Sequence, residues 1–195
     1  ETRKVFSATK HRLKTSPTSS SEMPTPRWSN SADNAATNWG GRQTASSIFK
    51  NIAPSVFMVI AAKTQEDLKN SKEVSQGSAV AISSSTLLTN CHVTNGNSII
   101  VLAINEELKP ATIIKSNKTK DTCVLRVKSN LTPIPRLRRY SSLENGETVY
   151  ALGAPKSLSN TLTEGIISSL RRHDGTNFIQ TSASISPGSS GGGLF

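Results

Sequence analysis

The stretch Ser186-Pro187-Gly188-Ser189-Ser190-Gly191-Gly192-Gly193-Leu194-Phe195 is the part of this 195-residue sequence best suited to chemistry. Glycines let a backbone take positive φ and approach a substrate closely. They can also aim consecutive N–H groups at a developing oxyanion, worth ~3–4 kcal/mol per donor in a transition state. A flexible Gly/Ser linker would have the same composition, so the serine needs partners. A hydroxyl becomes a nucleophile only when a base takes its proton, and that base needs a group to hold its tautomer.

Three histidines are present. His11 lies in a polar N-terminal stretch. His173 sits in Arg171-Arg172-His173-Asp174-Gly175, a polar turn with cationic neighbours. His92 alone directly follows an apolar run, in Leu87-Leu88-Thr89-Asn90-Cys91-His92-Val93. Among the acids, Asp121 immediately precedes the apolar run Cys123 to Val127 and is expected to enter a buried edge. An unpaired carboxylate there would be costly, and an imidazole N–H is a natural partner. An Asp capping the turn Lys118-Thr119-Lys120-Asp121 is the alternative.

The elements that must position these residues are short. Residues 1–45 are rich in Ser, Thr and Pro and carry no apolar period, so they read as a disordered basic linker. The net charge is +10, with seven Lys/Arg against three acids in that linker. The remaining excess is spread along the chain, which argues against a nucleic-acid module. The 34% apolar content and the longest apolar run, Val56 to Ala62, exclude a membrane-spanning helix. Two cysteines exclude a disulfide-dense scaffold. Residues 46–195 read as the folded domain. About nine β-rich runs follow one another there: 55–62, 77–82, 86–90, 98–102, 111–114, 123–127, 147–152, 163–170 and 178–181. Such spacing, with almost no helical period, predicts an all-β sandwich or barrel. The Pro-containing break around residues 129–143 divides it into two sub-barrels.

His92, Asp121 and Ser190 fall in the order of the chymotrypsin-type triad. The chain resembles the trypsin-like (chymotrypsin-fold) serine proteases, and within them the bacterial Deg/HtrA-like branch. The matching pieces are Gly77-Ser78-Ala79-Val80, Leu88-Thr89-Asn90-Cys91-His92-Val93, Asp121-Thr122-Cys123-Val124-Leu125, Ala151-Leu152-Gly153-Ala154-Pro155, Thr163-Glu164-Gly165-Ile166-Ile167-Ser168, and Gln180-Thr181-Ser182-Ala183 leading into Gly188-Ser189-Ser190-Gly191-Gly192. They run in the family's order across residues 48–195. The resemblance implies an all-β double six-stranded barrel and a serine endopeptidase of protein quality control that hydrolyses peptide bonds through an acyl-enzyme. It implies no metal or cofactor. Ser190 would be the nucleophile, His92 the general base and Asp121 its orienting partner. The backbone N–H groups of Gly188 and Ser190 would form the oxyanion hole, and Ser184 the floor of the primary specificity pocket. A small neutral floor favours a small or medium apolar side chain. A pseudo-protease barrel acting as a protein-binding module is the alternative.

The resemblance also implies that Cys91 and Cys123 lie near each other; a disulfide stays open, with buried free thiols preferred. It further suggests an extracytoplasmic location and homo-oligomers of the full-length protein. Two to three strands, roughly 20–40 residues, are unaccounted for beside the implied fold. The second barrel is therefore expected to be truncated at the C-terminus, and the chain as given to be inactive.

Overall fold

A computed structural model describes residues 44–154 and 160–195. The expected linker, with His11, Trp28 and Trp39, lies outside the described residues but for its last two positions. The first element is not a strand. Thr44 Oγ1 accepts a hydrogen bond from Ser47 N at 3.2 Å and opens helix α1, Ala45–Ile52. Eight residues fall short of the roughly 11–18-residue window in which a helical apolar period can be read, so a reading based on period passes over them. Phe49 and Ile52 on this helix pack against Val56, Val80 and Leu152. Helix α2, Gln65–Asn70, is shorter still and is opened by a capping box between Thr64 and Asp67. The expectation of almost no helix is corrected to this extent.

Six strands then close a barrel in the order β1-β2-β3-β6-β5-β4. They are β1 Val56–Ala62, β2 Ser75–Ala81, β3 Thr86–Thr89, β4 Ile99–Ile104, β5 Glu107–Asn117 and β6 Thr122–Val127. All pairs are antiparallel. Inward positions alternate as the pleat demands: Leu87 and Thr89 on β3, and Cys123, Leu125 and Val127 on β6, are buried. A single fully buried Leu such as Leu87 or Leu125 contributes about 1.5–3 kcal/mol. A register shift between Ile113 and Lys115 bends β5 and adds the local twist that closure needs.

Residues 128–147 cross to the second region along the barrel wall, where Leu131 N and Ile134 N donate to Ser84 O and Ala81 O at 2.8 and 2.9 Å. There, β7 Thr148–Gly153, β8 Thr161–His173, β9 Thr176–Thr181 and β10 Gly193–Leu194 form a sheet in the order β10-β7-β8-β9. β8 shifts register between Ile167 and Ser169, pairing with β7 through its first half and with β9 through its second. The sheet curls into a half-barrel beside the closed one. This is the double-barrel architecture expected of the chymotrypsin type. No described helix is long and apolar enough to cross a membrane.

Candidate active site

β3 ends at Thr89 and the chain turns at once into a single helical turn, α3, Cys91–Thr94. Val93 and Thr94 are buried, and Thr94 Oγ1 donates to Cys91 O at 3.1 Å, so α3 is fixed from below while His92 projects outward. β3 pairs with β6 through Thr89 and Cys123, and the pairing continues past the strand ends: Cys91 N donates to Asp121 O at 3.3 Å. Asn90 Nδ2 donates to the same carbonyl at 2.8 Å. Cys91 and Cys123 form a disulfide, with Cα atoms 4.9 Å apart. The preference for free thiols is thereby corrected. Adjacent positions on paired elements bring the Cα atoms within bridging range, which spacing along the chain cannot reveal.

Asp121 has φ +49°, a left-handed conformation that Asp tolerates better than most residues. From there it reaches His92 twice: Oδ1 accepts from His92 N at 2.9 Å, and Oδ2 lies 2.6 Å from Nδ1. An imidazole with Nδ1–H given to a carboxylate keeps the Nε2 lone pair free to act as a base. The Asp121 side chain is 42% exposed and that of His92 58%, so the expected buried edge is corrected to a rim. Partial burial pushes the Asp121 carboxyl up. Hydrogen bonds from His92 Nδ1 and N, the attraction of the imidazole and the Cys91 N–H outweigh it and hold the carboxyl below the ordinary carboxylate range.

The glycine-rich stretch forms two turns that share Ser189. Ser189 N donates to Ser186 O at 3.0 Å and Gly192 N to Ser189 O at 2.8 Å. The third residue of each turn, Gly188 (φ +98°) and Gly191 (φ +85°), has the positive φ of a type II turn. A Cβ at Gly191 would run into Ser78 O and stand 2.5 Å from Thr89 Oγ1, so only glycine fits. That same position lies 3.1 Å from Asn90 N, which brings the neighbour of Ser190 against the residue two before His92. The Ser189 N–H is tied within the turn. The N–H groups of Gly188 and Ser190 have no acceptor among the described residues. Nor does a hydrogen bond join Ser190 Oγ to His92 Nε2 among them.

Residues 77–195, more than half of the chain, match the family model for the trypsin-like peptidase domain. The chain belongs to this family. Over 133 residues it is 40% identical to the serine protease HTRA2, mitochondrial, of Drosophila willistoni, covering 62% of this chain and 30% of that protein. For Drosophila virilis the identity is 39%, with 62% and 31% covered. The solved structure of the HtrA-type protease AlgW with tripeptide aligns with a TM-score of 0.68 at 33% identity, over 78% of this chain and 50% of that one. The same protease with decapeptide gives 0.64 and 29%, over 78% and 55%. This trypsin-like domain is of the HtrA type, and it spans about a third of the curated relatives and half of the solved chains.

Beside the Ser190 loop the peptidase domain has a cleft of about 390 Å³ whose walls include Ser184, Ser186, Ser189, Thr163, Phe178 and Leu194. No charged residue lines it among those described. Ser184 is exposed, and its carbonyl accepts from Thr163 Oγ1 at 2.7 Å. His173 ends β8 in a solvated hairpin, with Nε2 3.2 Å from Asp174 Oδ2. Among the described residues no group of three or more His, Cys, Asp or Glu could hold a metal ion. The sequence reading assigned no role to Ser78, Thr89 and Asn90, which hold the site from behind. Ser78 and Thr89 are buried polar residues on apolar strands, a signal that was present in the sequence.

Proposed function

We propose that this is the peptidase domain of a serine endopeptidase that cleaves polypeptides through an acyl-enzyme. The observation that carries the reading is the 2.6 Å contact between His92 Nδ1 and Asp121 Oδ2, with the Nε2 lone pair left over. As substrate closes the site, Ser190 Oγ hydrogen-bonds to Nε2, a contact that commonly tightens only in the complex. His92 takes the hydroxyl proton while Oγ attacks the scissile carbonyl carbon. The N–H groups of Gly188 and Ser190 receive the negative charge that forms on oxygen. His92 then gives its proton to the leaving amine, the C–N bond breaks, and the acyl group stays on Ser190. Water, deprotonated by the same Nε2, attacks the ester carbon; the C–Oγ bond breaks, the acid is released, and His92 returns the proton to Ser190 Oγ. Asp121 stays ionised throughout and stabilises the imidazolium.

The uncharged cleft and the neutral Ser184 at its wall favour small or medium apolar side chains at the residue before the cleaved bond. The Cys91–Cys123 disulfide favours an oxidising, extracytoplasmic compartment, and the HtrA likeness favours a role in protein quality control. Ser190→Ala in the full-length protein is expected to abolish casein hydrolysis and fluorophosphonate labelling, while Ser189→Ala retains most of both. Equal loss in the two variants, or survival of hydrolysis in Ser190→Ala, would overturn the assignment.

A further inference from the structure

Ser78 lies on β2, in the closed barrel, with no solvent exposure. Its backbone N–H donates to Ser190 O at 2.7 Å, and its carbonyl accepts from Thr89 Oγ1 at 2.7 Å. Its hydroxyl is 2.8 Å from Ala154 N and 2.7 Å from Gly188 O. Ala154 N–H can only donate, so the hydroxyl accepts from it and spends its single proton on the Gly188 carbonyl. Ser55 provides a contrast. It is equally buried, and its hydroxyl has no partner among the described residues. Burial of a serine does not by itself explain a hydroxyl used in both directions.

We propose that Ser78 is the positioning residue for the oxyanion donors. The Gly188–Ser189 peptide is held at both ends, its C=O by Ser78 Oγ and its N–H by Ser186 O. Gly188 has no side chain to restrict rotation about its backbone, so the direction of its own N–H depends on how firmly that adjoining peptide is held. Ser190, the second donor residue, is held through its carbonyl by the Ser78 backbone. One strand residue of the closed barrel thus sets two donors that belong to a glycine-rich loop more than a hundred positions further along the chain. The hydroxyl's lever acts on Gly188 and leaves the bond to Ser190 in place.

This inference rests on the proposed acyl-transfer function for its catalytic readout. It is tested with Ser78→Ala in the full-length protein, with Ser55→Ala as the control for loss of a buried hydroxyl. Removing one whole oxyanion donor costs about 10²–10³ in kcat. Misdirecting one is expected to cost roughly 10- to 100-fold in kcat with KM within about twofold, because ground-state binding is untouched. Ser55→Ala is expected to keep the parental kcat. Ser78→Cys keeps the volume with a weaker donor and is expected to fall between parent and alanine; it decides the matter if the alanine variant does not fold.

Amide hydrogen exchange over residues 186–192 provides a readout that needs no turnover, with acceleration of roughly tenfold expected on loss of the anchoring bond. The amides of β3 and β6 should keep their rates. If the parent hydrolyses nothing but the loop exchange rises in Ser78→Ala, the functional reading fails and the positioning role stands. Unchanged loop exchange, or a raised KM at parental kcat, overturns the role of Ser78.

Discussion

The closed barrel and the half-barrel each bring part of the site, but they hold it in different ways. His92 and Asp121 are joined by two direct hydrogen bonds, and a disulfide ties Cys91, next to His92, to Cys123, two positions from Asp121. Beneath them is a core that includes Val59, Leu87, Leu102 and Leu125, all with no exposure. The half-barrel is looser. Phe178 and Ile179 on β9 are 49% and 39% exposed, and Ile185 beside the cleft is 65% exposed. Its Ser190 loop is held as much by Ser78 of the other barrel, through bonds to Gly188 O and Ser190 O, as by the short pairing of β10 with β7. The difference follows from what each half must present. A base needs a fixed side chain, which a packed strand end supplies. Oxyanion donors are backbone groups, which need unusual φ and therefore glycines, and glycines need support from outside.

The sharpest way to break the firm half is Asp121→Asn. The amide can still accept from His92 N but can no longer impose the tautomer, and kcat is expected to fall about 10⁴-fold. The melting temperature should stay near the parental one, since the pair sits at a partly exposed rim and the amide keeps the bond from His92 N. A loss below tenfold in steady-state hydrolysis would mean that the 2.6 Å contact does not orient a base.

A smaller effect should come from replacing both Cys91 and Cys123 by alanine. The bridge spans a sequence separation of 32, and a loop of this size corresponds to about 2–4 kcal/mol of folding stability. Denaturant unfolding of the protein with and without reductant measures it. The exchange rates of β7 and β8 should not follow. If reduction loosened the half-barrel as much as the barrel, the two regions would be one cooperative unit and the contrast would fail.

The smallest expected effect is with pH. The Asp121 carboxyl lies below the ordinary range in the folded protein. The unfolded chain therefore binds this proton more readily, and the stability gained is present above the ordinary Asp value of about 3.9. It is lost as pH falls through the lowered folded value. Unfolding followed between neutral pH and acid should show this contribution constant down to about pH 4 and declining below. The decline should be absent in Asp121→Asn, and a parental profile in that variant would remove Asp121 as its source.

Much of this was legible in the sequence because β-strands announce themselves by alternation. The nine runs each became a strand, and Gly193-Leu194 opened a tenth. β5 and β8 proved longer than their apolar cores, at 11 and 13 residues, because both extend through polar, solvent-facing ends that carry no pattern. The order His92, Asp121, Ser190 and the glycines around the serine were visible as residue types. What could not be read were facts of juxtaposition. The disulfide depends on β3 and β6 being neighbours, and the Ser78 hydroxyl depends on two segments meeting that no local pattern relates. The apolar run that follows Asp121 predicts burial, yet Asp121 takes a left-handed turn and its carboxylate lies at the rim.

The Ser78–Gly188 bond closes a sequence separation of 110. The closed barrel requires only residues 56–127, with the His92–Asp121 pair complete inside it. Chains emerge from synthesis N-terminus first, and contacts between distant positions form late because closing a long loop costs entropy before it gains anything. Folding is therefore ordered in time with respect to chemistry. On the proposed mechanism a nascent chain carries the His92–Asp121 base before Ser190 is in place, and residues 188–190 come under the control of the first barrel only when they dock against Ser78. By the same proposed mechanism the domain stays latent until that docking, and the distance along the chain between its two halves acts as the safety catch.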